Sequence, residues 1–141
     1  MNVIQQTQSF LPMSSRLILI FAALFMFIAI ALGAFGAHAW QVTLENYGNT
    51  ATFTTASQYH FYHALALLGV GIYVDIKPNI KITFVPILMI FGTSIFSGSL
   101  YILALSNIKW LGAITPIGGA LLLLAWAWLA LSLIKQKHNN D

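Results

Sequence analysis

Residues 17–37 read LILIFAALFMFIAIALGAFGA, an uninterrupted apolar stretch without a charged side chain. At about 1.5 Å per residue, a helix of this length is about 30 Å long, which matches the hydrocarbon core of a bilayer. Arg16 precedes the stretch, and Trp40, whose amphipathic ring suits the membrane interface, follows it. The sequence therefore predicts a membrane-spanning helix over about 17–38.

The composition of the whole chain agrees with a membrane protein. Hydrophobic residues make up 59% of the 141 positions and charged residues only 6%, whereas a soluble domain needs about a quarter of its residues charged. The length allows a single membrane domain over 1–141. A net charge of +3 is too small and scattered for nucleic-acid binding, and the absence of cysteine excludes disulfides, thiolate metal sites and iron–sulfur clusters.

Three further apolar segments predict an all-α, polytopic four-transmembrane-helix bundle. Asn49 or Thr50 is a candidate cap for the second helix, and Pro86 is tolerated in the opening turns of the third. The outer loop, about 39–51, is polar without a charge run and predicts either a short surface helix or a loop. The three predicted helices cover about 52–74, 82–105 and 110–134.

The segment Ala37-His38-Ala39 leaves one alternative open at the N-terminus, because it matches the pattern at which signal peptides are cleaved. The apolar stretch exceeds the usual 7 to 15 residues of the hydrophobic region of a signal peptide, and only one basic residue precedes it. A retained helix therefore fits better. The segment before Arg16 has no assigned role.

The basic residues predict the orientation of the four helices. On one side of the membrane they outnumber those on the other by five to one, and the positive side is normally cytoplasmic. Both termini are therefore expected in the cytoplasm, with only Lys109 outside. The five cytoplasmic residues are Arg16, Lys77, Lys81, Lys135 and Lys137.

Polar side chains concentrate in the outer halves of the predicted helices, and ionisable residues inside a membrane are rare and often functional. Counting along the second helix places His63 near the middle of the membrane, at a depth similar to that of Ser97 and Ser94. We expect a neutral His63 that is hydrogen-bonded to a hydroxyl of the third helix. The candidate ligand-binding cluster comprises His38, His60, His63, Ser97 and Tyr101.

A metal site built from the three histidines is a sharper hypothesis, because imidazoles suit zinc, copper or nickel. The depth estimate, however, separates His38 from His63 by more than about 10 Å, so we predict no metal and no other cofactor. Glu45 and Asp75 fall at the span boundaries, so no carboxylate inside the membrane supports ion-coupled transport. No pattern of a nucleophile with its base, a phosphate loop or paired carboxylates is present, so we predict no enzyme activity.

Small residues have a simpler explanation than ligand binding, because membrane helices associate where glycine and serine let their backbones approach. The residues predicted to serve this packing are Gly33, Gly36, Gly98, Gly118 and Gly119.

Four segments of the chain resemble the YgdD-type inner-membrane proteins, which are catalogued as domain of unknown function 423. They are residues 33–38 (GAFGAH), 59–67 (YHFYHALAL), 96–101 (FSGSLY) and 115–119 (TPIGG). The resemblance covers nearly the whole chain. It implies a small four-helix protein of the bacterial plasma membrane and assigns no catalytic residue, because the family has no settled activity.

Two classes of function therefore remain open. In the first, the protein is an accessory, assembly or structural subunit that packs with itself or with a larger membrane complex through small-residue faces. In the second, the outer half binds a small ligand, lipid, quinone or metal, or forms a narrow pathway, centred on His63. A pocket beside His63 would favour the second class, and a solid seam would favour the first.

Overall fold

The computed structural model describes residues 13–78, 80 and 82–138, and every regular element among them is a helix. Lys81 and the residues before Met13, which entered the predictions above, lie outside the described residues. A 3₁₀ helix, Lys109–Ala113, precedes the last α-helix. The α-helices are α1 (Ser15–Ala37), α2 (Gln41–Tyr47), α3 (Thr50–Ile76), α4 (Phe84–Ser106) and α5 (Thr115–His138).

Three helical segments are long and apolar enough to cross a membrane. They are Ser15–Ala37, Phe84–Ser106 and Lys109–Lys135, the last of which includes the 3₁₀ turn. The longest helix, α3, does not reach the same hydropathy, since it carries two histidines, three tyrosines, Gln58 and Asp75. The regular structure of the described residues is thus all helical. Three of its segments can span a membrane by length and composition, whereas the sequence analysis predicts four spans.

The long helices pack in chain order: α1 lies against α3, α3 against α4, and α4 against α5. In the described part of the chain no extensive contact joins α1 to α5, so the four form a row rather than a closed ring. One buried apolar cluster includes Ile18, Leu67 and Met89, and a second, towards α2, includes Phe53 and Ala56. The histidines of α3 lie between these two clusters along the helix.

The loop between α1 and α3 contains a short helix, one of the two alternatives predicted for it. Leu44 of α2 is buried, and Gly48 ends the helix in the left-handed region at φ 65°, where glycine carries no steric cost. The end of the row that carries this helix is called the α2 end below. It also contains the last residue of α1, Ala37, and the first residue of α3, Thr50.

Asn49 has a different role from the one predicted. It occupies the N-cap position of α3, but its side chain does not cap that helix. The amide instead donates to the carbonyl oxygens of Leu103 and Ala104 in the last turn of α4, at 3.5 and 3.3 Å, and to Oδ1 of Asn107 at 3.3 Å. Its Oδ1 accepts from Nζ of Lys109 at 3.3 Å. Because the last carbonyls of a helix have no partner within the helix, Asn49 ties the start of α3 to the end of α4.

Candidate functional site

His63 is buried on α3, and both of its ring nitrogens are engaged. Nε2 accepts a hydrogen bond from the indole N–H of Trp126 on α5 at 3.2 Å, and Nδ1 lies 2.8 Å from the carbonyl oxygen of Tyr59, one turn earlier. A nitrogen that accepts carries no proton, so the ring of this neutral histidine holds its proton on Nδ1 and donates it to Tyr59. No nitrogen remains free to bind a ligand.

The predicted hydrogen bond from His63 to a hydroxyl of the third long helix is wrong. The partner is Trp126, which the sequence suggests only as a bulky apolar residue. Ser97 is 2% exposed, and its Oγ has no hydrogen-bond partner among the described residues. The error arises because matching depths along two helices does not determine which side chain faces which, and α5 supplies a donor with a longer reach.

His60 is brought together with Tyr101, as the candidate cluster proposes. The Tyr101 hydroxyl lies 3.5 Å from Nδ1 of His60 and donates to Oγ of Ser57 at 3.3 Å. The edge of the His60 ring meets Phe25 of α1, with 5.3 Å between ring centroids. His60 therefore lies in a seam between three helices.

His38 lies apart from the other histidines. It is exposed at the end of α1, where its backbone N–H donates to Phe35 at 3.3 Å. Within the described residues, no three histidine or acidic side chains are placed to hold a metal ion together. The geometry gives no support to a metal site at these histidines.

Aromatic rings surround the His63 side chain. Tyr59 stacks on it with 6.2 Å between centroids and meets Phe96 of α4 at 4.7 Å, while the Trp126 ring lies 6.2 Å from the imidazole. These contacts join α3, α4 and α5 at the middle of the row. His63 is thus 6% exposed, between aromatic rings and two hydrogen-bond partners.

Two hydroxyls on α4 are buried without a partner in the described structure, those of Thr93 and Ser97. They lie four residues apart and thus on one face of the helix. Other hydroxyls of this protein, such as those of Thr54 and Ser106, bond to the carbonyl four residues earlier. Thr93 was not among the predicted site residues, because a single threonine in an apolar helix gives no signal in the sequence.

The predicted packing glycines divide into two groups. A Cβ atom on Gly118 would lie 2.8 Å from the carbonyl oxygen of Gly92, and one on Gly36 would overlap the Phe53 ring, so both mark close helix contacts. Gly119 makes ordinary contact with Phe96, whereas a Cβ on Gly33 or Gly98 would meet nothing within 4 Å beyond its own helix backbone and chain neighbours.

Two contact glycines were not predicted. Gly92 faces Gly118 and Leu122 across the α4–α5 contact, and Gly71 faces Leu19 of α1. Gly33 and Gly98 do not take part in such contacts within the chain, because each lies on a helix face that no other described helix covers. Glycine content in a membrane helix thus locates a contact only when the facing helix is known.

Comparison with known proteins adds the family. Residues 32–119 match the family described as protein of unknown function (DUF423). The chain belongs to this family. It is similar to the UPF0382 inner membrane protein YgdD of Escherichia coli strain K12, with 38% identity over 91% of this chain and 97% of the relative. A UPF0382 membrane protein of Staphylococcus saprophyticus is 40% identical over 85% of this chain and 98% of its own length. No solved structure matches.

The DUF423 relatives confirm the resemblance seen in the sequence. Together with the three membrane-capable helices, they confirm a multi-pass protein of the bacterial inner membrane, surrounded by lipid. Their names describe no activity, so function must be argued from the geometry.

Proposed function

We propose that α3 crosses the membrane as a fourth span and that both termini lie in the cytoplasm. We further propose that the protein is a non-enzymatic accessory subunit that associates laterally with a second copy of itself. The observation that carries the proposal is a polar stripe on the outward face of α3, defined by Thr54, Gln58 and Tyr62.

Contacts at both ends of α1 support a fourth crossing. Near the α2 end, Gly36 lies against Phe53 of α3, and near the opposite end Leu19 lies against Gly71. The two helices therefore run antiparallel alongside each other over almost all of α1. A helix that accompanies a membrane span over its full length crosses the same thickness of bilayer.

Basic residues support the orientation. Arg16 and Lys77 lie at the end opposite α2, close to the first residue of α4, and Lys135 is near the end of α5. Among the lysines and arginines that the structure describes, only Lys109 lies at the α2 end. The excess of positive charge on one side makes that side cytoplasmic by the rule that governs short loops.

The polar stripe is unusual for a surface that would otherwise face lipid. Its three residues are four positions apart and exposed, so they share one face of the helix. Thr54 satisfies its hydroxyl on the carbonyl of Thr50. The Gln58 amide and the Tyr62 hydroxyl make no hydrogen bond to another described residue. If α3 crosses the membrane, Gln58 would lie about 7 Å and Tyr62 about 13 Å from the bilayer surface at the α2 end. An unpaired amide in hydrocarbon costs several kcal/mol.

A second copy of the chain is the partner that this stripe fits. An amide both donates and accepts, so two Gln58 side chains related by a twofold axis can pair with each other. Polar groups in membrane helices commonly join neighbouring helices in this way. Pairing of the two stripes would remove the cost of exposing them to lipid.

Cysteine cross-linking tests the association, and the chain helps because it contains no native cysteine. Leu65 shares the outward face of α3 and is 46% exposed; Phe27, on α1, is 71% exposed and serves as the control. With a membrane-permeant oxidant, we expect Leu65→Cys to give a disulfide-linked dimer in native membranes and Phe27→Cys to give none. Adding Gln58→Leu should reduce the Leu65→Cys dimer several-fold. Equal cross-linking at both positions would contradict a specific interface.

One observation favours the alternative, a binding site or narrow pathway centred on His63. The unpartnered hydroxyls of Thr93 and Ser97 could hydrogen-bond a small molecule or water. Against it, both nitrogens of His63 are engaged. Replacing both hydroxyls, as Thr93→Val with Ser97→Ala, should leave dimerisation and folding intact under the accessory proposal. Loss of a co-purifying small molecule from this variant would support the alternative.

A further inference from the structure

A cavity of about 340 Å³ lies at the end of the row opposite α2. It is bounded by the start of α1, the end of α3 and the start of α4. The volume is within the range of small-molecule sites. Because α1 and α4 are membrane-capable by composition, the place where both begin lies at a membrane surface whether or not α3 is a fourth span.

The lining of the cavity combines polar and apolar side chains. Ile18, Val74 and Ile82 supply hydrocarbon wall, while Ser15, Asp75 and Thr83 supply oxygen atoms. The hydroxyl of Ser15 donates to Oδ1 of Asp75 at 2.9 Å. A site with this lining accommodates a molecule that has both a polar head and an apolar body.

The Asp75 carboxylate lacks a cationic partner among the described residues, where the Ser15 hydroxyl is its hydrogen-bond donor. It lies next to the last residue of α3, where the helix dipole disfavours negative charge. A carboxylate in this place is suited to a ligand that brings a positive charge and N–H donors.

Two basic residues adjoin lining residues in the sequence, although they do not line the cavity themselves. Arg16 follows Ser15 directly, and Lys77 comes two residues after Asp75; both are exposed. Cations beside the cavity suit a phosphate, and the exposed Asp75 carboxylate in its lining suits an ammonium group. A phospholipid with an ethanolamine headgroup combines the two charges with acyl chains that fit the apolar wall.

We propose that this cavity binds the headgroup of an ethanolamine phospholipid, with the ammonium group on Asp75 and the phosphate towards Arg16 and Lys77. Choline lipids carry the same charges but no N–H donor, so the site should discriminate against them. Phosphatidylglycerol lacks the ammonium group and would leave the Asp75 carboxylate without a cationic partner.

The test measures the Tm of delipidated protein in detergent after addition of a few equivalents of each lipid. We expect phosphatidylethanolamine to raise Tm by about 3 °C or more and phosphatidylcholine or phosphatidylglycerol to raise it much less. The mono- and dimethylated ethanolamine lipids should give intermediate values, because each methyl group removes a donor. This series needs no variant, so it decides the question even if a substitution impairs folding.

Variants locate the effect. Asp75→Asn should abolish the preference for the ethanolamine lipid, and Ser15→Ala should weaken it, whereas Glu45→Gln, a carboxylate change at the α2 end, should preserve it. Equal stabilisation by ethanolamine and choline lipids, or an unchanged preference in Asp75→Asn, would overturn the proposal. Soluble glycerophosphoethanolamine should change Tm little at the same concentration. A Tm increase equal to that given by phosphatidylethanolamine would contradict the proposal that the natural occupant is a lipid.

Discussion

The indole N–H of Trp126 donates to Nε2 of His63 at 3.2 Å, and this bond joins α5 to α3, two helices separated in the row by α4. It provides a donor to the unprotonated nitrogen of a buried histidine. The imidazole is held from both sides, by the indole and by the carbonyl of Tyr59. His63 thus connects helices that otherwise have little contact.

Trp126→Phe should destabilise the protein. The substitution keeps an aromatic ring but leaves Nε2 of His63 buried without a donor, which costs about 1 kcal/mol or somewhat more. Denaturant unfolding in detergent measures the change. Trp128→Phe is the matched control, because Trp128 packs on Phe84 with 5.5 Å between ring centroids and makes no hydrogen bond to another described side chain. Equal losses in the two variants would show that the Trp126–His63 bond contributes nothing.

The protonation pattern of His63 is a second expected outcome. Nitrogen-15 NMR of histidine-labelled protein in lipid should show a neutral ring with the proton on Nδ1. In Trp126→Phe the nitrogen signal of Nε2 should shift, because its donor is lost. A ring protonated on Nε2 in the wild type would be incompatible with the geometry.

Gly118→Ala should disrupt the α4–α5 contact. The added methyl group would meet the backbone of Phe96 and the carbonyl of Gly92, and backbone atoms cannot move aside by a rotamer change. We expect the folded yield to fall severely. Gly98→Ala is the control, since its methyl group enters open space within the chain and alanine is the better helix former by about 1 kcal/mol. A Gly118→Ala protein as stable as wild type would contradict the close packing.

Asn49→Ala should loosen the end of α4. Asn49 is 4% exposed, and its removal leaves the carbonyls of Leu103 and Ala104 without their side-chain donor, at a cost of about 1–2 kcal/mol. Hydrogen exchange should become faster in the last turn of α4 and the first turn of α3. The exposed Asn46 provides the control substitution. If hydrogen exchange in Asn46→Ala became faster to the same extent as in Asn49→Ala, the specific role of Asn49 would be contradicted.

Much of the helical architecture follows from the length of the apolar runs. The first span is predicted from its own residues. The side chain of Ser14 caps the helix by accepting a hydrogen bond from the N–H of Leu17 at 3.3 Å, so α1 begins at Ser15. The last span differs from the prediction because Pro116 has no N–H. The chain forms a 3₁₀ turn over Lys109–Ala113 before α5 begins at Thr115.

Less of the candidate site than of the fold could be predicted from the sequence. Residues on one helix, such as His60 and His63, can be assigned to a face and a depth from periodicity alone. Their partners lie on other helices, and the rotation of each helix about its axis is determined by packing. Asn49 was therefore assigned a capping role, and neither Trp126 nor Gly92 was predicted as a contact residue.

The central claim is that α3 crosses the membrane in spite of its polar residues. Single cysteines at Asn46 and Lys77, both exposed and flanking α3, test it in a chain that has no other cysteine. In intact spheroplasts, a membrane-impermeant maleimide should label Asn46→Cys at once and Lys77→Cys only after the membrane is permeabilised. Labelling of both cysteines from the same side would show that α3 does not cross and would contradict the account.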